Sequence, residues 1–410
     1  MTRNRNIQTK QIQNLANDIT DEIINLRRYF HQYPELSWKE HKTATHLREI
    51  LVAEGLRVKS GICGTGLVAE LNGQAAGKTL AIRSDMDGLP MYDAKDVSFA
   101  SKVTGVMHAC GHDAHMAMAV GAARVLNRLG FELSGNVRFI FQPSEEAAPS
   151  GASELVKEGV MQDVDSIVAF HVDPEMPVGK IGLRAGILTA HCNEFNLTIL
   201  GKSGHAARPH QAIDTIHLSN RVMSALYEIT AKRTQTFSPA VLSIGKIGGG
   251  SKANIIPERV DIQGTIRTVD EQSQNEILSA IEESVHAITR SAGGTYQLEF
   301  LSPVPSVVND PQITQLIREA AASVLQEDNI VEIQNVSMGG EDFSWYLKNT
   351  PGALIRLGVH KEGEEIRYLH THHFDIDEQA LPIGVALMCQ IVLYYFSDSN
   401  PFDEPILHGR

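Results

Sequence analysis

Only four cysteines occur in the 410 residues, Cys63, Cys110, Cys192 and Cys389, and no two form a C-x-x-C pair. Their wide spacing excludes a disulfide framework and suits a reducing, cytoplasmic compartment. No apolar run reaches the roughly 18 residues that a membrane span requires, so no membrane partner is expected. The amino terminus, Met1-Thr2-Arg3-Asn4-Arg5, is basic but has no apolar segment behind it, so no signal peptide is expected. Positive charge is in deficit: 36 Lys and Arg stand against 49 Asp and Glu, a net charge of −13. That balance excludes a general nucleic-acid footprint but leaves room for a locally basic pocket for a small anion.

Hydrophobic residues make up 42% and charged residues 21%, the balance of a soluble globular protein. The length is too great for one ordinary core and predicts two domains. The densest chemistry lies in Met107-His108-Ala109-Cys110-Gly111-His112-Asp113-Ala114-His115. A hydrophobic core would not select a thiol, three imidazoles and a carboxylate within nine residues. A thiolate and an imidazole at C-x-H spacing, with Asp alongside, suit a divalent metal.

Periodicity organises the rest. Ile12, Leu15, Ile19, Ile23, Leu26 and Phe30 recur at helical spacing and predict one amphipathic helix over 8–30, stopped by Pro34. Strands are expected at 67–71, 79–82, 137–141 and 166–170, and helices at 47–51, 114–129 and 152–158, a layered α/β pattern. Near residue 190 the order becomes strand 195–200, helix 213–229, strands 240–247 and 259–267, a helix capped by Asp270, and strand 296–300. This β-α-β-β-α-β order is that of a ferredoxin-like unit. The α/β pattern then resumes with helix 311–325, strand 353–359 and helix 377–396, before an irregular tail at 397–410. The expected division is 1–189 and 303–410 for one domain, with 190–302 inserted. Gly248-Gly249-Gly250-Ser251 lacks the strand–helix context of a dinucleotide loop and is rejected as one.

Polar clusters stand at the expected strand ends, where α/β folds place their sites. They are Arg83-Ser84-Asp85-Met86-Asp87, Gln142-Pro143-Ser144-Glu145-Glu146 and His171; the cysteine–histidine cluster precedes a helix, and His370-Thr371-His372-His373-Phe374-Asp375 lies near the carboxyl terminus. These ligand types can build a mononuclear or a dinuclear centre. A pair of adjacent glutamates lets one carboxylate bind metal while the other stays free to accept a proton from water.

The motifs RSDMDGLP at 83–90, MHACGHDAH at 107–115, FQPSEE at 141–146, GKSGHAARPH at 201–210, ANIIPE at 253–258, GTIRT at 264–268 and GGEDFSWY at 339–346 together cover most of the chain. In them the sequence resembles the metal-dependent amidohydrolases: hippurate hydrolases, N-acyl-amino-acid deacetylases and auxin-conjugate hydrolases, within the aminoacylase and glutamate carboxypeptidase clan. The resemblance implies a mixed-sheet, zinc-peptidase-like catalytic domain with an inserted ferredoxin-like lid. It implies metal ligands Cys110, His112, Glu146, His171 and His370, with Glu145 as general base and Asp87 orienting a ligand. It implies that His205 polarises the scissile carbonyl and that Asn254 and Arg267 hold the substrate carboxylate. Two divalent ions per subunit are implied, manganese or zinc, with cobalt and nickel also compatible. The implied reaction is hydrolysis of the amide bond of N-acyl amino acids or related small amides by metal-bound water, and a homodimer through the lid would fit. The C-terminal motif departs from the usual His-Asn-Pro or His-Ser-Pro; spacing to Phe374 selects His370, with His372 as its rival.

Three other readings share these residues. The same centre could serve a dipeptidase or carboxypeptidase. Cys110 with His112 or His115 could form a cysteine hydrolase. The chain could bind metal without catalysis, although binding alone needs only one of Glu145 and Glu146.

Overall fold

The computed structural model describes residues 2–73, 77–129, 133–233 and 239–397. The chain divides into two units. Unit 1 comprises Met1–Gly186, Val307–Gln334 and Asp342–Arg410; unit 2 comprises Ile187–Ser306 and Asn335–Glu341. The segment 335–341, which the sequence alone assigned with the final part of the chain, sits with unit 2 for a local reason. Ser337 N donates to Leu188 O at 2.9 Å and Ala190 N donates to Ser337 O at 2.8 Å, so the segment is hydrogen-bonded onto the start of that unit.

The helices are α1 (Thr2–Asp18), α2 (Thr20–Gln32), α3 (His41–Ala53), α4 (His112–Leu129), α5 (Gly151–Lys157), α6 (Thr215–Arg233), α7 (Glu271–Ser291), α8 (Pro311–Ala322), α9 (Ser344–Leu347) and α10 (Ala380–Tyr395). The longer strands, with two three-residue ones, are β1 (Arg57–Ile62), β2 (Gly66–Asn72), β3 (Lys78–Asp85), β4 (Gly135–Gln142), β5 (Ser166–Pro177), β6 (Ile181–Leu183), β7 (His191–Leu200), β8 (Ala240–Gly249), β9 (Arg259–Thr268), β10 (Thr295–Val304), β11 (Ile330–Glu332) and β12 (Gly352–His360).

Unit 1 is built on a mixed sheet in the order β1-β2-β4-β3-β5-β12-β6-β11. Strands β4, β3, β5 and β12 run parallel, with β2 antiparallel to β4. The run Leu80-Ala81-Ile82 is wholly buried, as a strand covered on both faces requires. Helices α4 and α10 are apolar nearly all round and are buried nearly all round. They meet α2 at Gly121, where a Cβ would lie 2.7 Å from Val385 Cγ2 and 3.0 Å from Ile23 Cδ1. That close approach fixes α4, and His112 is its first residue.

Two expectations are corrected. The single helix over 8–30 is two helices, because Ile19 leaves helical geometry at φ −99° and ψ 9°. Thr20 Oγ1 bonds back to Ala16 O at 3.3 Å, the type of contact that bends a helix, while the apolar stripe passes through the bend unbroken. The strand expected to end at His171 runs on to Pro177, so His171 lies within β5, opposite Arg356 of β12.

Unit 2 has an antiparallel sheet in the order β8-β9-β7-β10 with α6 and α7 packed together against it. Strand burial alternates, with Phe195, Leu197 and Ile199 of β7 and Val260, Ile262 and Ile266 of β9 facing Leu218, Val222, Ile277 and Ile281 of the helices. Asp270 caps α7, accepting from Ser273 N at 2.7 Å. This is the ferredoxin-like arrangement of the four long strands and two helices.

Candidate metal centre

The parallel strands of unit 1 deliver acidic groups at their carboxyl ends. Strand β3 ends at Asp85 and leads into Asp87; β4 ends at Gln142 and leads into the turn 143–146. Three successive amides of that turn are held by buried carboxylates. Ser144 N, with its φ of 49°, donates to Glu40 Oε1 at 2.9 Å; Glu145 N and Glu146 N donate to Asp87 Oδ1 and Oδ2, each at 3.0 Å. Ser37 Oγ adds a bond to Asp87 at 2.7 Å. The turn therefore presents both glutamate side chains from a fixed backbone.

The imidazoles converge in the same unit. His112 Nδ1 donates to Asp87 O at 2.8 Å, which makes Nε2 the ring nitrogen that a metal could take. His171 Nδ1 donates to Val172 O at 2.8 Å, and its Nε2 lies 3.4 Å from Cys110 Sγ. His370 sits in a turn at φ 57°, tied through its amide to Ala109 O at 2.8 Å. Its Nε2 is 3.4 Å from Cys110 Sγ and 3.3 Å from Glu146 Oε1. His112 Nε2 stands 3.9 Å from Glu146 Oε1 and 4.0 Å from Glu145 Oε2. The rival His372 turns elsewhere, donating from Nδ1 to Tyr92 O at 2.7 Å.

The donor set fits divalent metal. His112 Nε2 and Glu146 Oε1 are buried without a hydrogen-bond partner, a costly arrangement unless a cation takes them. Ligand atoms about 2.0–2.3 Å from an ion and at tetrahedral angles stand roughly 3.3–3.8 Å apart, close to the separations found. Cys110 belongs to two such groups, one with His112 and His171 and one with Glu146 and His370. Burial, then the charge of Glu146, pushes the Cys110 thiol well above its ordinary pKa, so a cation is required to hold it as thiolate. Burial, then Arg356 and His115, pushes His171 well below its ordinary value, which keeps it a neutral donor.

Around the ligands lies a charged layer. Asp85 accepts from His115 Nδ1 at 2.7 Å and from Arg83 Nη1 at 2.6 Å. Burial opposes its ionisation, but His112, Arg83 and His115 outweigh it and hold the carboxyl well below the ordinary range. His115 Nε2 accepts from Val172 N at 3.0 Å, so both its ring nitrogens are committed and neither is left for metal or for Cys110. Arg83 also reaches Asp342 at 2.8 Å, which in turn accepts from Gln142 and Ser150. Sequence reasoning missed Glu40, Arg83 and Asp342 as supports. Arg83 and Asp342 lie inside quoted motifs, whereas nothing in the pattern around Glu40 sets it apart from a solvated acid before a helix.

The remaining candidates lie in unit 2. His205 is exposed on a two-residue strand, Gly204–His205, paired with Ile255–Ile256. Its Nδ1 accepts from Ala207 N at 3.1 Å, leaving Nε2–H as a donor. Asn254, also exposed, accepts through its carbonyl from Ala206 N at 3.1 Å. Arg267 is half-buried on β9; its Nη1 donates to Met338 O at 2.7 Å and lies 3.2 Å from Cys192 Sγ.

Comparison with known proteins agrees with this chemistry. The description "Peptidase family M20/M25/M40" matches residues 81–394. The chain is 37% identical to thermostable carboxypeptidase 1 of Saccharolobus solfataricus, covering 95% of this chain and 99% of that one. It is 35% identical to an N-acetylcysteine deacetylase of Bacillus subtilis, covering 90% and 96%. Among solved structures it resembles a Bacillus subtilis protein described as a dinuclear metal binding peptidase of the M20 family, with a TM-score of 0.80, 32% identity and coverage of 93% and 99%.

Proposed function

The chain belongs to peptidase family M20/M25/M40 and is a metal-dependent hydrolase of amide bonds; from that premise we propose that its substrates are N-acyl amino acids, cleaved at a centre of two divalent ions. The observation that carries the reading is the orphaned pair His112 Nε2 and Glu146 Oε1 beside Cys110, His171 and His370, with a second glutamate next in the chain. Manganese and zinc both suit this mixture of ligands, as do cobalt and nickel.

When bound, the ions would acidify water and polarise the substrate carbonyl. Glu145 takes the proton from the attacking water and passes it to the leaving amine as the C–O bond forms and the C–N bond breaks. Asp87 holds the Glu145 amide and fixes the His112 tautomer through its own carbonyl. His205, as an Nε2–H donor, stabilises the negative oxygen that develops on the carbonyl. Asn254 and Arg267 hold the free carboxylate of the amino acid.

The carboxypeptidase relative supports a second reading, in which a peptide replaces the N-acyl amino acid. Rates on an N-acetyl amino acid and on a dipeptide separate the two. The direct experiment is a panel of N-acyl amino acids given to metal-reconstituted protein, with detection of the released amine. Turnover abolished by a chelator and restored by metal is expected; turnover that survives chelation would overturn the metal centre, and absence of turnover across the panel the substrate class.

Two finer assignments belong here. Unit 2 is assigned as the self-association surface, because edge strand β8 exposes Val241 and Ile247; light scattering should report a dimer, and Val241→Lys with Ile247→Lys a monomer. All four cysteines are unpaired, which supports a cytoplasmic location.

A further inference from the structure

His370 is carried by an irregular segment of unit 1, between β12 and α10, and its side chain is 52% exposed. Something other than helix or strand geometry must hold it against Cys110 and Glu146. Its amide bond to Ala109 is one restraint. The bonds of His372 to Tyr92 O and Ala94 N are others, and a further one lies on α2, which carries no ligand.

Arg27 of α2 is fully buried. Its Nε stands 2.8 Å from Asp113 Oδ2, an ion-pair contact outside hydrogen-bond geometry. Its Nη2 donates to Asp375 Oδ1 at 2.7 Å and its Nη1 to Glu378 Oε1 at 3.3 Å. Asp113 directly follows His112 on α4. Asp375 follows Phe374, which is buried and whose amide bonds to Thr371 O at 3.1 Å, closing the turn 371–374 that directly follows His370. One guanidinium therefore joins the helix that starts with a ligand to the segment that ends the ligand set. His31, also on α2, adds a contact to Asp113 at 2.7 Å. Arg28 donates to Glu378, lies over the Phe99 ring at 4.7 Å and is 40% exposed.

We infer that Arg27 is a positioning residue that sets His370 against Cys110 and Glu146, and so governs occupancy of the half of the centre built on those three ligands. This rests on the two-ion reading above. The half built on Cys110, His112 and His171 has restraints of its own, Asp87 O on His112 and Val172 O on His171. A fixed fork of donors suits the task, because it holds two carboxylates at set angles.

The test measures cobalt binding by equilibrium dialysis and by the thiolate-to-cobalt absorption of Cys110. The chains compared are wild type, Arg27→Met, Arg27→Lys, Asp375→Asn and, as control, Arg28→Gln. Far-UV circular dichroism checks that each is folded. Asp375→Asn removes the charge from the link to the His370 segment while leaving Arg27 paired with Asp113, so a failure of Arg27→Met to fold does not close the question. Expected are two ions in wild type and Arg28→Gln, and a second ion bound about 10–100-fold more weakly in Asp375→Asn and Arg27→Met, the range found when partners behind a ligand are removed. The first ion and its thiolate band should persist, Arg27→Lys should recover part of the loss, and excess metal should restore turnover. Second-ion affinity unchanged in Asp375→Asn, or both ions weakened alike, overturns the role of Arg27. A wild-type chain that binds fewer than two ions instead overturns the two-ion reading and this inference with it.

Discussion

Glu145 and Glu146 are adjacent, their amides share one carboxylate and both side chains lie near His112 Nε2. Glu146 also reaches His370, at 3.3 Å. Glu145→Gln should therefore retain metal and lose turnover by about 10²–10⁴-fold, the range for general acid–base catalysis. Glu146→Gln should lose metal; metal content and rate measured on the same preparation decide this, and the reverse pattern would exchange the two roles. A second prediction concerns acid. Burial opposes the charge of Asp93, but His31, the Ser101 amide and Lys95 outweigh it and hold its carboxyl far below the ordinary range. The unfolded chain, with an aspartate pKa of about 3.9, takes up that proton first. The contribution of Asp93 is thus present above about pH 5 and is lost progressively as pH falls toward the folded value. In metal-free protein, Asp93→Asn should flatten the fall of Tm between about pH 5 and 2; an unchanged slope would remove Asp93 from the account of acid lability. At this scale the sequence showed groups whose chemistry is unusual in clusters, such as Cys110 with His112. It did not show Arg27 or Glu40, because an arginine on an amphipathic helix and a lone acid before one are ordinary until the fold buries them.

Long elements with regular patterns were legible, since one buried face leaves a period in the sequence. Strand β1 was not, because its burial runs exposed or intermediate until Ile62 and leaves no apolar alternation. Strands β6 and β11 have three residues each, too few for any period. The bend at Ile19 was hidden because both helices present the same stripe across it. Element geometry also makes predictions. Gly111, at φ 87°, joins Cys110 to α4 where a Cβ would lie 2.3 Å from Val172 Cγ2. Gly111→Ala should cost about 1–2 kcal/mol from backbone conformation alone and should weaken metal binding, since the clash displaces the two ligands that flank it. Urea unfolding of the metal-free chain and metal titration of the folded one read these separately; wild-type values in both would refute the constraint. In unit 2, Asp270→Ala should cost about 1 kcal/mol through loss of the α7 cap, with no change in metal affinity.

At the scale of the molecule, each unit encloses its own apolar core, one around α4 and α10 and one between β7, β9 and the helices α6 and α7. All five expected ligands lie in unit 1. Calorimetry should therefore resolve two transitions, and metal at about 100 times its Kd should stabilise one of them by about 2.7 kcal/mol. A single transition, or an equal rise in both, would show that the cores do not melt separately. The main part of unit 2, Ile187–Ser306, is continuous over 120 residues. The return of 335–341 was not legible, because a short segment held by backbone bonds carries no side-chain signature.

Unit 1 is assembled from three stretches of chain, and that arrangement governs how the protein is made. Unit 2 gains its last strand, β10, at residue 304, but α10, which lies at the heart of unit 1, spans 380–395. At roughly 5–20 residues per second, the ribosome needs about another 5–20 s to deliver it. Through that interval the nascent chain carries Cys110, His112, Glu146 and His171 without His370, beside an apolar surface that α10 has yet to cover. The order of synthesis thus brings the fifth expected ligand, His370, and the covering helix α10 after the other four.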